Sequence, residues 1–312
     1  MLYLLFKNSY LKIWKKIGAS DVKRLKEQTL YPDIKEECFS YINDNKSYHK
    51  LNIYQPQNNF VSLPLIIDIH GGGWAGGNKD TNKKYNYYLA SKDNIVISMS
   101  FADLSNHKKL IDMIQDIFAS LQWIYENKNK LNYDETQIML TGDSSGAHLA
   151  FLVASIQNNR YLQGIFNVKH VNLDFSCLVL THPAVSIKEY IELMPQNPYS
   201  FISVNMNKAL KRMLLGFNYK KKPIFNAFSS EDILKINDEY PPILITTSQG
   251  DIALHPLSVR LAKDLKNNDI DFDYYDDKNK ENNHAFNIID PDNNDSKKMN
   301  DCILKFFINN AK

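Results

Sequence analysis

The most constraining feature of this sequence is a series of short apolar runs, rich in β-branched residues, that are separated by segments of helical length. The five clearest runs lie at residues 65–69, 95–99, 137–141, 177–181 and 243–247. Apolar side chains on both faces of a strand are typical of a parallel sheet that is covered on both sides. Weaker strand patterns at residues 37–42, 49–54 and 271–275 bring the predicted sheet to about eight strands.

The segments between these runs favour helices. The clearest is residues 107–126, where apolar residues recur at the three- and four-residue spacing of a helix. Further helices are predicted at residues 8–28, 145–157, 256–267 and 296–309. Strands that alternate with helices in this way predict an α/β fold, with a mostly parallel, twisted sheet and helices on both faces.

We expect a single domain over residues 1–312, with two additions to the sheet. The segment 1–36 precedes the predicted strands and is predicted to be helical. The insertion 186–238 lies between two strands and is far longer than a usual connection, which predicts a small helical cap. Its apolar residues include Met194, Phe201, Met206, Leu210 and Met213. An extra helical layer without a substrate role is the alternative.

Glycine is sparse but concentrated. The chain has 11 glycines, and eight of them lie in three places: residues 71–77, residues 142–146 and Gly250. Glycine is needed where the backbone takes a positive φ or approaches another group closely. These three places are therefore the first candidates for a functional site.

The segment Gly142-Asp-Ser-Ser-Gly146 has the pattern G-x-S-x-G. It follows an apolar strand and precedes a predicted helix, which is the context of a sharp turn that exposes the central serine. The two glycines are expected because side chains there would collide with neighbouring backbone. Ser144 is thus the candidate nucleophile, and a turn without a catalytic role is the alternative.

A second glycine segment, His70-Gly-Gly-Gly-Trp74, follows the strand at 65–69. Backbone N–H groups in such a loop can stabilise an oxyanion in acyl transfer. Gly72 and Gly73 are the predicted donors, with the N–H of Ser145 as the third. A phosphate-binding loop is disfavoured, because no Lys-Ser/Thr pair or further spaced glycine opens a helix here.

An activated serine needs a base, which should follow it and an acid along the chain in this architecture. The histidines after Ser144 are His148, His170, His182, His255 and His284. His284, between the last strand and the last helix, is the predicted base. His148 lies one turn into the helix after the serine and is expected to be structural.

For the acid, Asp251 directly follows Gly250, close after the strand at 243–247. Asp276 and Asp277 follow the last strand and are the alternatives. A solvated surface carboxylate is the ordinary interpretation of any of the three.

Five residues are predicted to contact the substrate. Trp74 and Phe286 each adjoin a segment of the candidate site and would narrow the acyl side. His255 precedes a proline near a strand end and is expected to line the pocket. Met206 and Met213 belong to the insertion, and methionine adapts to varied apolar shapes.

These motifs resemble those of α/β-hydrolases of the hormone-sensitive-lipase-like esterase group. They are also similar to those of bacterial carboxylesterases related to feruloyl esterase and kynurenine formamidase. The resemblance covers roughly residues 37–309 and implies Ser144 as nucleophile, Asp251 as acid and His284 as base. It also implies the oxyanion donors already named.

The chain departs from this family at two points. The family elbow usually continues Ser-Ala-Gly-Gly, whereas here it reads Ser144-Ser-Gly-Ala147. The segment Phe101-Ala-Asp-Leu104 lacks the usual Tyr-Arg pair. Both departures concern the substrate more than the class of reaction.

The predicted function is hydrolysis of short-chain carboxylic esters, acetate to butyrate, through an acyl-enzyme, with no metal or organic cofactor. Two alternatives stay open at this point. One is an amidase or formamidase with the same three residues, and the other is a ligand-binding homologue that has lost turnover.

Composition limits the classes of partner and the cellular locations that we expect for this chain. The formal charge is only +2, and the four arginines are scattered, which disfavours nucleic acid. The three cysteines show no metal-binding spacing, and no apolar run has the length of a membrane span or of a signal peptide core. We therefore expect a cytoplasmic enzyme, monomer or dimer, that acts on a small-molecule ester. Docking of the basic N-terminal helix on anionic lipid would be an addition to this function.

Overall fold

The sheet has the predicted number of strands. A computed structural model describes residues 2–57, 61–188 and 201–312. The strands are β1 (Ile34–Ser40), β2 (Lys50–Pro56), β3 (Leu63–Ile69), β4 (Ile95–Met99), β5 (Tyr133–Asp143), β6 (Cys177–Thr181), β7 (Ile243–Ser248) and β8 (Phe272–Asp277). They form one sheet in the order β1-β2-β4-β3-β5-β6-β7-β8. β2 pairs antiparallel with β1 and β4, and the other pairs are parallel. The prediction of a mostly parallel sheet is confirmed.

The helices of the described residues alternate with these strands. They are α1 (Leu2–Glu27), α2 (Lys83–Ala90), α3 (Leu110–Glu126), α4 (Lys128–Leu131), α5 (Ser145–Gln157), α6 (Arg160–Phe166), α7 (Phe201–Leu215), α8 (Ser230–Ile233), α9 (His255–Asn267), α10 (Phe286–Ile289) and α11 (Asn294–Asn309). Short 3-10 helices occur at Leu104–Asn106, Tyr219–Lys221 and Pro223–Asn226.

Helices cover both faces of the sheet, as the apolar strands predict. Successive side chains of β3 point to opposite faces, so that Leu65 and Ile67 enter one core and Ile66 enters another. The first core contains the apolar faces of α3 and α5, and the second contains residues of α2 and α11. All three β3 side chains are fully buried.

The parallel pairing brings several loops to one edge of the sheet. Ile69 of β3 pairs with Gly142 of β5, and Asp143 pairs with Thr181 of β6. Thr181 in turn pairs with Thr246 of β7. Because ligands bind beyond the carboxyl ends of strands in open α/β sheets, this edge is the expected place of a site.

Helix α1 lies over this edge. It begins at Leu2, earlier than the predicted residue 8, because the first apolar residues continue the helix and bury Phe6. The hydroxyl of Tyr10 donates a hydrogen bond of 2.6 Å to the carbonyl of Gly73. No helix among the described residues has the length and apolar character needed to cross a membrane.

The predicted cap is represented by α7 and the short helices that follow it. α7 contacts α1, and the ring of Tyr3 meets that of Phe217 edge-on at 5.4 Å. Met213 is buried in the core, and Met206 is half-buried. Met194 lies outside the described residues. The division into one domain with an N-terminal segment and a cap stays a prediction.

Candidate active site

Ser144 lies on the sharp turn between β5 and α5. Its backbone has φ 55° and ψ −120°, a conformation that is strained for a residue with a side chain. A Cβ at Gly146 would lie 2.0 Å from the carbonyl oxygen of Ile69, and one at Gly142 would lie 2.6 Å from the backbone of Gly146. Glycine is therefore required at both positions, as the motif predicted, and the turn holds Ser144 at the sheet edge.

Main-chain hydrogen bonds fix this turn to the neighbouring strand. The N–H of Ser144 donates to the carbonyl of Thr181 at 2.9 Å. The N–H of Ala184 donates to the carbonyl of Ser144 at 3.1 Å. The end of β6 and the loop that follows it thus hold the backbone of Ser144 through its N–H and its carbonyl.

His284 and Asp251 lie together at the same edge. Nδ1 of His284 is 2.7 Å from Oδ2 of Asp251, and the carboxylate is almost fully buried. Oδ1 of Asp251 accepts a 3.0 Å bond from the N–H of Leu254. Because a carboxylate accepts, Nδ1 of His284 carries the proton and its Nε2 is left with a lone pair.

The alternative acids are engaged elsewhere. Asp276 contacts Nε2 of His255 at 3.1 Å and Gln249 at 3.1 Å. Asp277 accepts hydrogen bonds from Asn279 and Asn282. Of the three candidate acids, the structure brings only Asp251 against His284.

A second histidine, His182, contacts the same carboxylate and was not singled out from the sequence. Its Nδ1 is 2.9 Å from Oδ2 of Asp251, and its side chain is fully buried. Burial by itself raises the pKa of Asp251, but the hydrogen bonds from His182 and His284 hold that pKa well below its usual range. The signal that could have found His182 is its position directly after an apolar strand that ends at the site edge.

Ser144 and His284 border one cavity of about 120 Å³. Residues of α1, among them Trp14, Gly18 and Asp21, form one wall of this cavity. Within the described part of the chain, the hydroxyl of Ser144 makes no hydrogen bond with His284, whose side chain is 38% exposed. Catalytic hydrogen bonds often shorten only when substrate is bound.

The glycine segment after β3 borders the cavity as well. The N–H of Gly71 donates to Oδ1 of Asp143 at 2.8 Å and is therefore occupied. The N–H groups of Gly72 and Gly73 donate to no group among the described residues. Both glycines have positive φ, 127° and 57°. Ser145 is the first residue of α5, so its N–H has no acceptor within the helix.

A buried polar cluster holds this segment from behind. Nδ2 of Asn82 donates to Oδ1 of Asp143 at 2.9 Å and contacts both carboxylate oxygens of Asp68. Burial, with Asp143 nearby, raises the pKa of Asp68 to about 7. The cluster fixes Asp143, which in turn fixes the backbone of Gly71.

Trp74 and His148 form a separate buried pair. The indole Nε1 of Trp74 donates to Nδ1 of His148 at 3.1 Å, so Nε2 of His148 is the protonated nitrogen and donates to the carbonyl of Phe228 at 2.7 Å. Burial lowers the pKa of His148 to about 4. These bonds anchor the segment that follows the glycines to α5 and to the residues before α8.

The predicted substrate contacts lie apart from this cavity. Its described lining includes none of Trp74, His255, Phe286, Met206 and Met213. His255 is turned to Asp276, and Phe286 packs against the ring of His182 at 6.0 Å. Trp74 and Met213 are buried in the core. Their substrate-binding roles stay predictions.

His182, Asp251 and His284 are also the one described cluster whose donor atoms lie close enough together to hold a metal ion. Both Nδ1 atoms already donate to the carboxylate, and two of the three side chains are fully buried. Hydrogen bonding therefore accounts for this cluster without an ion.

A serine on a strand-to-helix turn, with an acid and a histidine following in that order on the loops of a mostly parallel sheet, defines the α/β-hydrolase class. The chain belongs to the BD-FAE family, whose model matches residues 51–265. The resemblance to α/β-hydrolases of the esterase group that the motifs predicted is confirmed.

Solved structures agree with this assignment. Esterase B from Lactobacillus rhamnosis HN001 is 27% identical and superimposes with a TM-score of 0.90 over 99% of this chain and 96% of that chain. The same esterase inhibited by a C4-C4 SN3 tributyrin phosphonate gives 0.89, with 28% identity over 98% of this chain and 96% of that one.

Two curated relatives match over shorter regions. Carboxylesterase NlhH of Mycobacterium tuberculosis is 27% identical over 41% of this chain and 40% of its own length. Isoprenylcysteine alpha-carbonyl methylesterase ICME of Arabidopsis thaliana is 24% identical over 69% of this chain and 49% of its own. The chain thus spans half or less of these relatives. Both relatives, and the structural neighbour, are ester hydrolases.

Proposed function

We propose that this chain is a carboxylic ester hydrolase in which Ser144 is the nucleophile, His284 the base and Asp251 the acid. The family and the similar structures support the ester hydrolase class. The observation that carries the roles is that a serine at positive φ shares a cavity with a histidine whose Nδ1 is bonded to a buried carboxylate.

The first half of the reaction forms an acyl-enzyme. Oγ of Ser144 attacks the ester carbonyl carbon while its proton passes to Nε2 of His284, and Asp251 stabilises the resulting imidazolium. The carbonyl oxygen becomes an oxyanion, for which Gly72, Gly73 and Ser145 have N–H groups available. The C–O bond then breaks, and the alcohol leaves with the proton from His284.

The second half repeats these steps with water. His284 takes a proton from a water molecule, whose oxygen attacks the carbonyl carbon of the acyl-serine. The tetrahedral intermediate collapses, the bond to Oγ breaks, and Ser144 regains its proton from His284. The products are the carboxylic acid and the free enzyme.

The size of the cavity supports a preference for short acyl groups. A cavity of roughly 150 Å³ holds a benzene molecule, which has six carbon atoms. The 120 Å³ beside Ser144 would then hold about five, enough for a butyryl group but not for an octanoyl group.

The wall of the cavity supports the same preference. It is bordered by an ion pair in which a guanidinium nitrogen of Arg24 lies 3.2 Å from Oδ1 of Asp21. A long alkyl chain would remove water from this pair without replacing its hydrogen bonds, which is unfavourable.

The nucleophile can be tested directly. We expect Ser144→Ala to lower kcat for p-nitrophenyl acetate by at least about 10⁴-fold, since nucleophilic attack is lost while the oxyanion donors remain. A phosphonate ester should add its mass to a peptide that contains Ser144 in the unmodified protein only. Retention of a substantial fraction of activity in Ser144→Ala would overturn this role.

The substrate class needs a second experiment. We expect kcat/KM across p-nitrophenyl esters of two to twelve carbons to be greatest from acetate to butyrate. An N-formyl amide in the same panel compares ester with amide turnover. A maximum at eight carbons or more would overturn the short-chain preference, and faster turnover of the amide would replace the esterase with an amidase.

A further inference from the structure

His182 occupies an unusual position for a histidine. It is the first residue after β6, has φ 46°, and its side chain has no solvent exposure. Its own N–H donates to the carbonyl of Thr246 at 2.7 Å, which holds the backbone in this conformation. A positive φ costs free energy in a residue with a β-carbon, so the surrounding structure imposes this placement.

The imidazole of His182 shares one oxygen with that of His284. Oδ2 of Asp251 is 2.9 Å from Nδ1 of His182 and 2.7 Å from Nδ1 of His284. The two rings stand nearly perpendicular, with their centres 5.4 Å apart. A carboxylate oxygen has two lone-pair directions, so it accepts both bonds at once.

The contacts of His182 also define its charge. Because Nδ1 donates to the carboxylate, Nε2 carries the lone pair, and this buried nitrogen has no hydrogen-bond partner among the described residues. A proton on Nε2 would leave a charged N–H without an acceptor, at a high desolvation cost.

The groups that face His182 do not offset that cost. They are Asp251, His284 and, farther away, Asp143. Burial is the largest influence and lowers the pKa of His182, although both carboxylates act in the opposite direction. His182 therefore stays neutral while it donates its hydrogen bond.

We propose that His182 is a positioning residue: a neutral donor that fixes the carboxylate of Asp251 so that Oδ2 faces Nδ1 of His284. This proposal rests on the roles assigned above to Ser144, Asp251 and His284. The hydrogen bond from His182 offsets part of the negative charge on Oδ2. It therefore also weakens the electrostatic attraction between Asp251 and a charged His284. His284 is then the one ring of the pair that gains a proton during turnover.

A pair of substitutions separates positioning from packing. His182→Asn keeps an N–H donor near the place of Nδ1, and asparagine tolerates a positive φ. His182→Leu keeps bulk but removes the donor. In metal sites, loss of a group that orients a ligand side chain typically costs about 10–100-fold in activity, and we expect a loss of the same order for a group that orients Asp251. We expect His182→Leu to lower kcat by about that factor with little change in KM, and His182→Asn to recover most of the loss.

The pH profile gives a readout that a packing role would not move. In His182→Leu the full charge of Asp251 acts on His284, so the acidic limb of kcat/KM should move to higher pH. In His182→Asn the limb should stay at its wild-type position. The proposal would be overturned if the acidic limb of the kcat/KM profile does not move in His182→Leu and kcat per titrated active site is unchanged.

His49 provides a matched control. It is also a buried histidine bonded to carboxylates, with Nδ1 2.8 Å from Asp44 and Nε2 3.3 Å from Asp116. His49→Leu should lower the melting temperature but leave the pH profile in place. If it moves the acidic limb as His182→Leu does, the effect belongs to loss of any buried histidine and the proposal is wrong.

A measurement on the wild-type protein tests the proposal even if one of the variants does not fold. In NMR spectra of protein with ¹⁵N-labelled histidine, His182 should remain the neutral Nδ1–H tautomer across the active pH range. A charged His182 or an Nε2–H tautomer would refute the proposal. Since Ser144→Ala tests the nucleophile separately, failure of this inference would leave the proposed function standing.

Discussion

Gly18 offers a sharp test of how the cavity selects its substrate. It lies within helix α1 and borders the cavity of Ser144. A Cβ built there would meet no atom within 4 Å, so close packing does not require glycine. Glycine inside a helix costs about 1 kcal/mol relative to alanine. Because Gly18 lines the cavity and has space around it, we predict that the side chain in Gly18→Leu fills part of the cavity and closes it to all but the smallest acyl groups.

The expected fall in kcat/KM follows from the volume of the cavity. A leucine side chain adds four carbon atoms to a cavity of about 120 Å³, which is most of the room available. A butyryl group would then lose the burial of about three carbons, at about 0.8 kcal/mol each. The sum, about 2.4 kcal/mol, corresponds to a fall of roughly 50-fold in kcat/KM for the butyrate ester. The acetate ester has one such carbon and should lose only a few-fold.

The assay is the ratio of kcat/KM for p-nitrophenyl butyrate to that for the acetate. Gly164 in α6 is the matched control, because a Cβ there also meets no atom within 4 Å and the residue lies outside the cavity. Gly164→Leu should leave the ratio unchanged, and both variants should fold at least as stably as wild type. An unchanged ratio in Gly18→Leu, or an equal fall in both variants, would refute the reasoning.

Two further predictions concern ionisable groups. Asp251→Asn should lower kcat by about 10⁴-fold, because an amide cannot hold His284 in the Nδ1–H tautomer, whereas Asp276→Asn should change it far less; the reverse ranking would move the acid to the end of β8. Burial lowers the pKa of His148 to about 4, below the roughly 6.5 of a free histidine. The folded state therefore binds fewer protons than the unfolded state between these values, so stability should fall, by up to about 3 kcal/mol, as pH drops from 6.5 to 4. Urea unfolding should show this fall in wild type and a smaller one in His148→Gln; equal slopes would contradict it.

The sheet and the serine turn could be predicted because their signals are local. Apolar runs such as residues 65–69 have no interpretation other than a buried strand or helix, and the flanking glycines decide between these. Helix α2 escaped prediction because Lys84 to Ala90 are buried on every side, so no polar face gives them a helical period.

Other parts of the site depend on contacts between distant segments. His182 reaches Asp251 across 69 positions, and Tyr10 reaches Gly73 across 63. No spacing rule connects such pairs, since the sheet order brings them together. The same holds for α1. Its lysine-rich sequence does not indicate that this helix forms one wall of the cavity.

The bonds that hold Ser144 in its strained conformation all belong to the main chain. Thr181 and Ala184 bond to its backbone, and the glycines on either side only make room. The side chain of Ser144 makes no capping hydrogen bond to α5, so the hydroxyl does not hold the turn. If Ser144 is the nucleophile proposed above, a chain without the hydroxyl should therefore lose turnover and keep its binding of the same ester.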